Sequence, residues 1–219
     1  MTKICAISDQ HGHIDFQIPS CDLLIIAGDI CPAHDHSSVF QKYWLHNDFY
    51  HWLEKQDYQK CVFISGNHDF LEEQQPGSIR RDKFRRIRAY YLQDEWIELF
   101  GLKIYGTPFS VQFYDWAFME EEDELAKIYR KIPDKLDVLI SHGPPKSYGD
   151  LTIEGINAGS LALTERLKQI NCGYVITGHI HEGRGRYLFH QNQLLPLVYN
   201  CSLLDEKYNM VNEPFIIDI

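Results

Sequence analysis

Five stretches of this chain finish alike. KICAISDQHGH (3–13), DLLIIAGDI (22–30), CVFISGNHD (61–69), DVLISHGPP (137–145) and YVITGHIHEG (174–183) each run through apolar residues, stop at Ser or Gly, and at once deliver Asp, Asn or His. A continuous apolar run of this length suits a strand buried on both faces. Helix-like segments lie between several of the runs, over about 37–56, 78–90, 119–131 and 159–170. Ser37 and Ser160 suit N-cap positions, and MEEEDELAKIYRK opens acidic and closes basic, as a helix dipole favours. Strands alternating with helices predict an α/β architecture whose central strands are mostly parallel. Ligands of such sheets bind beyond the carboxyl ends of the strands, where the five polar clusters fall.

The remaining strands read as antiparallel. WIELF and LKIYG flank the turn Phe100-Gly101, GRYLFHQNQLLPLVYN reads as a hairpin turning near Gln191-Asn192, and EPFIIDI follows. They form a second sheet or extend the first. No linker, repeat or low-complexity run interrupts the 219 residues, which predicts one domain over 1–219. MTKICAIS enters an apolar strand without a basic flank or cleavage site, and no run of about eighteen apolar residues follows, so a cytoplasmic protein without a membrane span is expected. The formal charge of −10 argues against bulk nucleic-acid binding. Six scattered cysteines without a C-x-x-C pair read as reduced, buried small hydrophobes.

The polar clusters contribute Asp9, His11, Asp29, Asn67, His68, Asp69, His142, His179 and His181. Carboxylates, a carboxamide and imidazoles without thiolate suit Mn, Fe or Zn in a catalytic site. A four-coordinate catalytic ion uses about three protein ligands, so the set is too large for one. Two divalent ions roughly 3.5–4 Å apart, sharing a carboxylate, would use most of it, and paired ions point to phosphate-ester chemistry. His179 and His181, at i and i+2, would share one face of an extended chain. The residues alone leave open whether that pair serves one ion or two.

The ordered series Asp9-x-His11, Gly28-Asp29, Gly66-Asn67-His68-Asp69, His142 and Gly178-His179-x-His181 resembles the calcineurin-like metallophosphoesterase superfamily over nearly the whole chain. YGTPFSVQFYDWAF, SHGPP and GHIHEGRG are similar to the metallophosphoesterase-domain proteins, a subfamily akin to class III cyclic-nucleotide phosphodiesterases. The resemblance implies a four-layer αββα sandwich of two mixed sheets flanked by helices. It implies that Asp9, His11 and His181 hold one metal, that Asn67, His142 and His179 hold the other, and that Asp29 bridges them. His68 would donate a hydrogen bond or proton to the phosphate or leaving oxygen, oriented by Asp69. The implied activity is hydrolysis of a small phosphate ester, most naturally a phosphodiester such as a cyclic nucleotide, by a metal-bound hydroxide. A phosphomonoesterase or nuclease on the same site, and a non-enzymatic scaffold of the same fold, are the alternatives. Gly28-Asp29 continues as Ile30-Cys31-Pro32-Ala33, without the further Asp and Arg of the Ser/Thr protein phosphatases, which argues against that role.

Other residues carry weaker readings. His34, His36, His46, His51 and His190 read as structural or exposed, and His13 as a lesser rival of His11. The RRDKFRRIRAYY segment reads as a helix with Phe84, Ile87 and Tyr91 inward and its arginines solvated. Phe109, Phe113, Tyr114 and Trp116 are divided between core packing and stacking on a nucleobase. Arg184 and Arg186, just past the last histidines, are candidates to face substrate.

Overall fold

A computed structural model describes residues 1–189 and 196–219. Two mixed sheets carry the chain. The first holds β1 (Lys3–Ile7), β2 (Cys21–Ala27), β3 (Tyr58–Ile64) and β4 (Ala89–Tyr91) in parallel, with β13 (Phe215–Asp218) antiparallel on the outer side of β1. The second runs β11 (Gly185–Leu188), β12 (Leu197–Asn200), β10 (Asn171–Thr177), β9 (Lys135–Ser141), β6 (Leu102–Thr107), β5 (Glu95–Leu99), with both hairpin edges antiparallel and its centre parallel. A short parallel pair, β7 (Ser110–Val111) with β8 (Met119–Glu120), stands apart. The turn expected near Gln191-Asn192 lies outside the described residues, as does His190.

Alternation along the strands generates the layers. Ile4, Ala6, Leu23, Ile25, Val62 and Ile64 turn to one side and meet Ile104, Val138, Ile140 and Ile176 of the second sheet. Their neighbours Cys5, Ile7, Leu24, Ile26 and Phe63 turn the other way, onto the helical residues Trp44, Phe49, Leu53, Leu71 and Phe84. On the far side of the second sheet, Leu139, Cys172 and Val175 pack on Leu125, Tyr129, Leu163 and Leu167. The order is therefore helix, sheet, sheet, helix. All six cysteines are free and buried. No helix among the described residues is long and apolar enough to cross a membrane.

The helices fall where the capping residues place them. The first runs as α1 (Ser38–Trp44), a π turn (Leu45–Phe49) and α2 (Tyr50–Glu54), with the Ser37 hydroxyl accepting from the Phe40 amide. After the short α3 (Phe70–Gln74) and α4 (Arg81–Arg86) come α5 (Glu122–Tyr129) and α6 (Leu161–Leu167). Ser160 caps α6, and Glu122 of α5 also accepts from the Leu161 and Ala162 amides, so one helix caps the next. Two predicted spans are too long. The segment 78–90 is helical only over α4, because Arg88 adopts φ +62 and Ala89 and Tyr91 are taken into β4. Met119 and Glu120 leave the predicted 119–131 helix to pair with β7.

A candidate metal centre where the two sheets meet

The five polar strand ends converge although their strands belong to different sheets: β1, β2 and β3 to the first, β9 and β10 to the second. Their backbones turn sharply to do so. Asp9, His11, Asp29 and His179 all have positive φ, between 42° and 69°. That region costs a non-glycine residue about 1–2 kcal/mol, so tertiary bonds must hold it. The Asp9 amide donates to the Gly28 carbonyl at 3.1 Å, and the His11 amide to the Asp29 carbonyl at 3.0 Å. Gly178 is required by proximity: a Cβ there would lie 1.9 Å from Ser8 Oγ and 2.2 Å from Asp9 Oδ2.

Two groups of donors face each other across Asp29. On one side stand Asp9, His11 and His181, whose candidate ligand atoms lie within 4.8 Å of one another. His181 Nε2 is 3.8 Å from Asp9 Oδ1, and its Nδ1 donates to the Asp205 carbonyl at 2.8 Å, which leaves Nε2 free to ligate. On the other side, His142 Nε2 and His179 Nδ1 lie 2.9 and 2.8 Å from Asn67 Oδ1. His142 Nδ1 donates to the Ala27 carbonyl at 2.9 Å. Between the groups, Asp29 Oδ2 is 3.5 Å from His11 Nε2 and 3.4 Å from His142 Nε2, while Oδ1 accepts from the His68 amide at 2.7 Å. Asp9, in turn, accepts from the His179 amide at 3.0 Å and from Ser202 Oγ at 2.6 Å.

The electrostatics fit a cation. Burial, which penalises the imidazolium, pushes His11 down to about 4 and His179 down to about 3, the latter helped by nearby His142. Both therefore present lone pairs at neutral pH. Burial also opposes charge on Asp9 and Asp29, yet the surrounding imidazoles, His181 and His142 for Asp9 and His142 and His68 for Asp29, overcome it and hold both carboxyls below the usual range. Burial alone would lower His142, but the Asp29 carboxylate reverses this and raises it to about 9. Both ring nitrogens of His11 are buried without a hydrogen-bond partner, a costly state that a bound cation relieves. The neutral imidazoles of His11 and His179, the ionised carboxylates and one amide oxygen suit a borderline divalent ion, which would have to displace the proton that Asp29 holds on His142.

Residues 2–183 match the family model for calcineurin-like phosphoesterases. The chain belongs to the calcineurin-like phosphoesterase family. A UPF0046 protein of Caenorhabditis elegans is 32% identical over 231 residues, covering 93% of this chain and 56% of its own length. The metallophosphoesterase domain-containing protein 1 of Homo sapiens is 27% identical over 242 residues, covering 100% of this chain and 71% of its own. The chain thus spans little more than half of the nematode relative. Among solved structures, the protein TT1561 of Thermus thermophilus superposes with a TM-score of 0.59 at 12% identity, over 91% of this chain and 88% of that one. This last likeness concerns the fold alone.

Within the site, several expectations are corrected by geometry. His179 and His181 do not share a strand face, because His179 is left-handed and His181 opens a 3-10 turn; the rings point to opposite donor groups. Asp69 is not the partner of the His68 ring. Its buried carboxylate accepts from the Ile30, Cys31 and Gly66 amides at 2.8–3.1 Å and so ties two strand ends together. The partner of His68 is His36, read from sequence as structural, whose Nε2 lies 3.1 Å from His68 Nδ1. Arg184 is occupied by the Ser202 and Glu213 carbonyls and lies over Phe215, and Arg186 lies over Tyr199. His13 and His34 line a shallow hollow beside His11, outside the donor groups.

The aromatic segment divides. Phe109 packs against the core of the second sheet, Trp116 lies on His68 with ring centroids 4.4 Å apart, and Phe113 and Tyr114 are 64% and 74% exposed. Sequence reasoning missed Tyr208 altogether. Its ring lies 4.8 Å from that of His11 and 5.4 Å from that of His181, and its φ is +62. Nothing in LLDEKYNM singles it out. His36 did leave a signal: it follows Asp29 by seven residues, in the same loop beyond β2.

Proposed function

We propose that the protein hydrolyses a phosphodiester, with a cyclic nucleotide as the first candidate, at a centre of two divalent ions. Asp9, His11 and His181 would hold one, Asn67, His142 and His179 the other, and Asp29 both. When bound, the ions supply positive charge for the phosphoryl oxygens and an activated water. The chain's own residues orient the ester: Asp9 and Asp29 are fixed by backbone amides and Ser202, and His68 reaches the same cavity.

The observation that carries the diester reading is the cavity above these donors. Its volume is about 420 Å³, within the range of small-molecule sites. Val111, Phe113, Trp116, Met119, Ile180 and Tyr208 form its apolar wall, and among the described residues no Lys or Arg lines it. A monoester dianion is best gripped by guanidinium or ammonium groups. A diester carries a single charge and brings a second substituent, which such a wall desolvates favourably. Phe113 and Trp116 offer that substituent aromatic faces.

Turnover of a chromogenic diester, the matching monoester, a cyclic nucleotide and a single-stranded oligonucleotide, each with Mn added, tests the reading. Diester and cyclic-nucleotide cleavage should exceed monoester cleavage, and Asp29→Ala should abolish turnover together with metal uptake by elemental analysis. Full metal-dependent activity in that variant would sink the mechanism. Preferential monoester or oligonucleotide cleavage would replace the diester by another substrate of the same site.

A further inference from the structure

His68 is fixed from several directions. Its amide donates to Asp29, and its carbonyl accepts from Gln41 Nε2 at 2.7 Å. Its ring lies against Trp116, and its Nδ1 meets Nε2 of His36 at 3.1 Å. The His36 ring is itself seated against Phe70 and Trp116, each 5.1 Å away between centroids. Two neutral imidazoles in contact at this distance share one proton, supplied by one ring or the other. With Nδ1 engaged by His36, Nε2 is the nitrogen left for the cavity. A His68 ring nitrogen lies within 4.8 Å of an Asp29 carboxylate oxygen, and His68 lines the cavity that, on the reading above, takes a phosphate. A lone pair there would face negative charge, whereas an N–H would be attracted by it.

We infer that His36 is a positioning residue: it donates its Nε2–H to Nδ1 of His68 and so keeps the His68 proton on Nε2, aimed at the leaving oxygen of the ester. As water oxygen bonds to phosphorus and gives up its proton to solvent, the P–O bond to the leaving oxygen breaks; the N–H stabilises the charge developing on that oxygen, which then takes a proton from solvent. The inference rests on the hydrolytic reading for its consequence and on the geometry alone for the tautomer.

Both parts are testable. Long-range proton–nitrogen correlation spectra of metal-free protein with nitrogen-15 histidine should show His68 protonated on Nε2; protonation on Nδ1 overturns the inference. Kinetically, His36→Phe keeps the ring packing and removes the donor, while His36→Gln keeps an N–H at the same reach. Two diesters differing only in the leaving group, an alkoxide or 4-nitrophenolate, separate the effects. Removal of one donor to developing charge commonly costs about 10²–10³ in kcat. Loss of a residue that only aims such a donor should cost less, about 10–100-fold on the alkyl diester with KM unchanged, and no more than about threefold on the nitrophenyl diester. His36→Gln should restore the alkyl rate to within about threefold. Equal losses on both diesters in His36→Phe, or no rescue by His36→Gln, overturn the inference. If the parent protein cleaves neither diester and His68 still carries its proton on Nε2, the hydrolytic reading fails and the proton placement stands.

Discussion

Gly178→Ala probes the closest contact in the site without replacing a candidate ligand. The added Cβ would sit 1.9 Å from Ser8 Oγ, 2.2 Å from Asp9 Oδ2 and 2.6 Å from Ser8 Cβ. None of these is the end of a long flexible side chain, so β10 must back away from β1. Overpacking of this kind costs about 1–3 kcal/mol. Displacing Asp9 also weakens its bonds to the His179 amide (3.0 Å) and Ser202 Oγ (2.6 Å). A hydrogen bond to a charged group contributes about 1.5–3 kcal/mol, so losing one of them brings the total to about 2.5–6 kcal/mol. Urea unfolding of the metal-free protein measures this as a lower midpoint at unchanged slope. Gly173→Ala, within β10 whose end Gly178 follows, meets only the Asp137 carbonyl, at 3.1 Å, and should lose less than about 1 kcal/mol. A loss in Gly178→Ala as small as that of Gly173→Ala would refute the argument that this strand crossing is set by the missing side chain.

Three further outcomes are expected. In the metal-free protein, His142 carries a raised pKa, so its pairing with Asp29 stabilises the fold fully below about pH 6.5 and is lost as pH rises through about 9. The urea midpoint should fall across that window in the parent and not in His142→Gln. All six cysteines are buried, so a thiol reagent should modify none within minutes in the native protein and all six in urea; one rapidly reacting thiol would contradict the placement. Phe113 borders the cavity and is not among the donors, so Phe113→Ala should raise KM for an aromatic diester about tenfold and leave kcat within about twofold, a loss on the scale of one aromatic contact. An unchanged KM would remove Phe113 from the substrate wall.

The donor set was legible because each donor follows an apolar run that could only be a buried strand, and five such endings cannot be explained one by one. The division of those strands between two sheets was not legible from the residues. An apolar run buried on both faces reports burial, not the identity of its neighbours, and it was the family resemblance that implied the sandwich. The spacing of His179 and His181 misled, because it assumed extended backbone where φ is positive. Asp69 misled for a related reason: adjacency in sequence to His68 suggested contact, whereas the carboxylate turns back onto the loop beyond β2. His36 and Tyr208 enter the site from polar loops whose course depends on what they pack against.

The strand order has a consequence in time. β1 lies between β2 and β13, and the Asp9 carboxylate beyond it is held by Ser202, 193 residues later. During synthesis the first sheet can pair β1, β2 and β3 as soon as they emerge, but one edge of β1 stays open and Asp9 stays loose until the far end of the sequence arrives. Contacts so distant in sequence form late, since closing a long loop must precede any reward from it. The donors of the first sheet therefore wait for those of the second. Until both sheets are in place, only half of the candidate donors stand together.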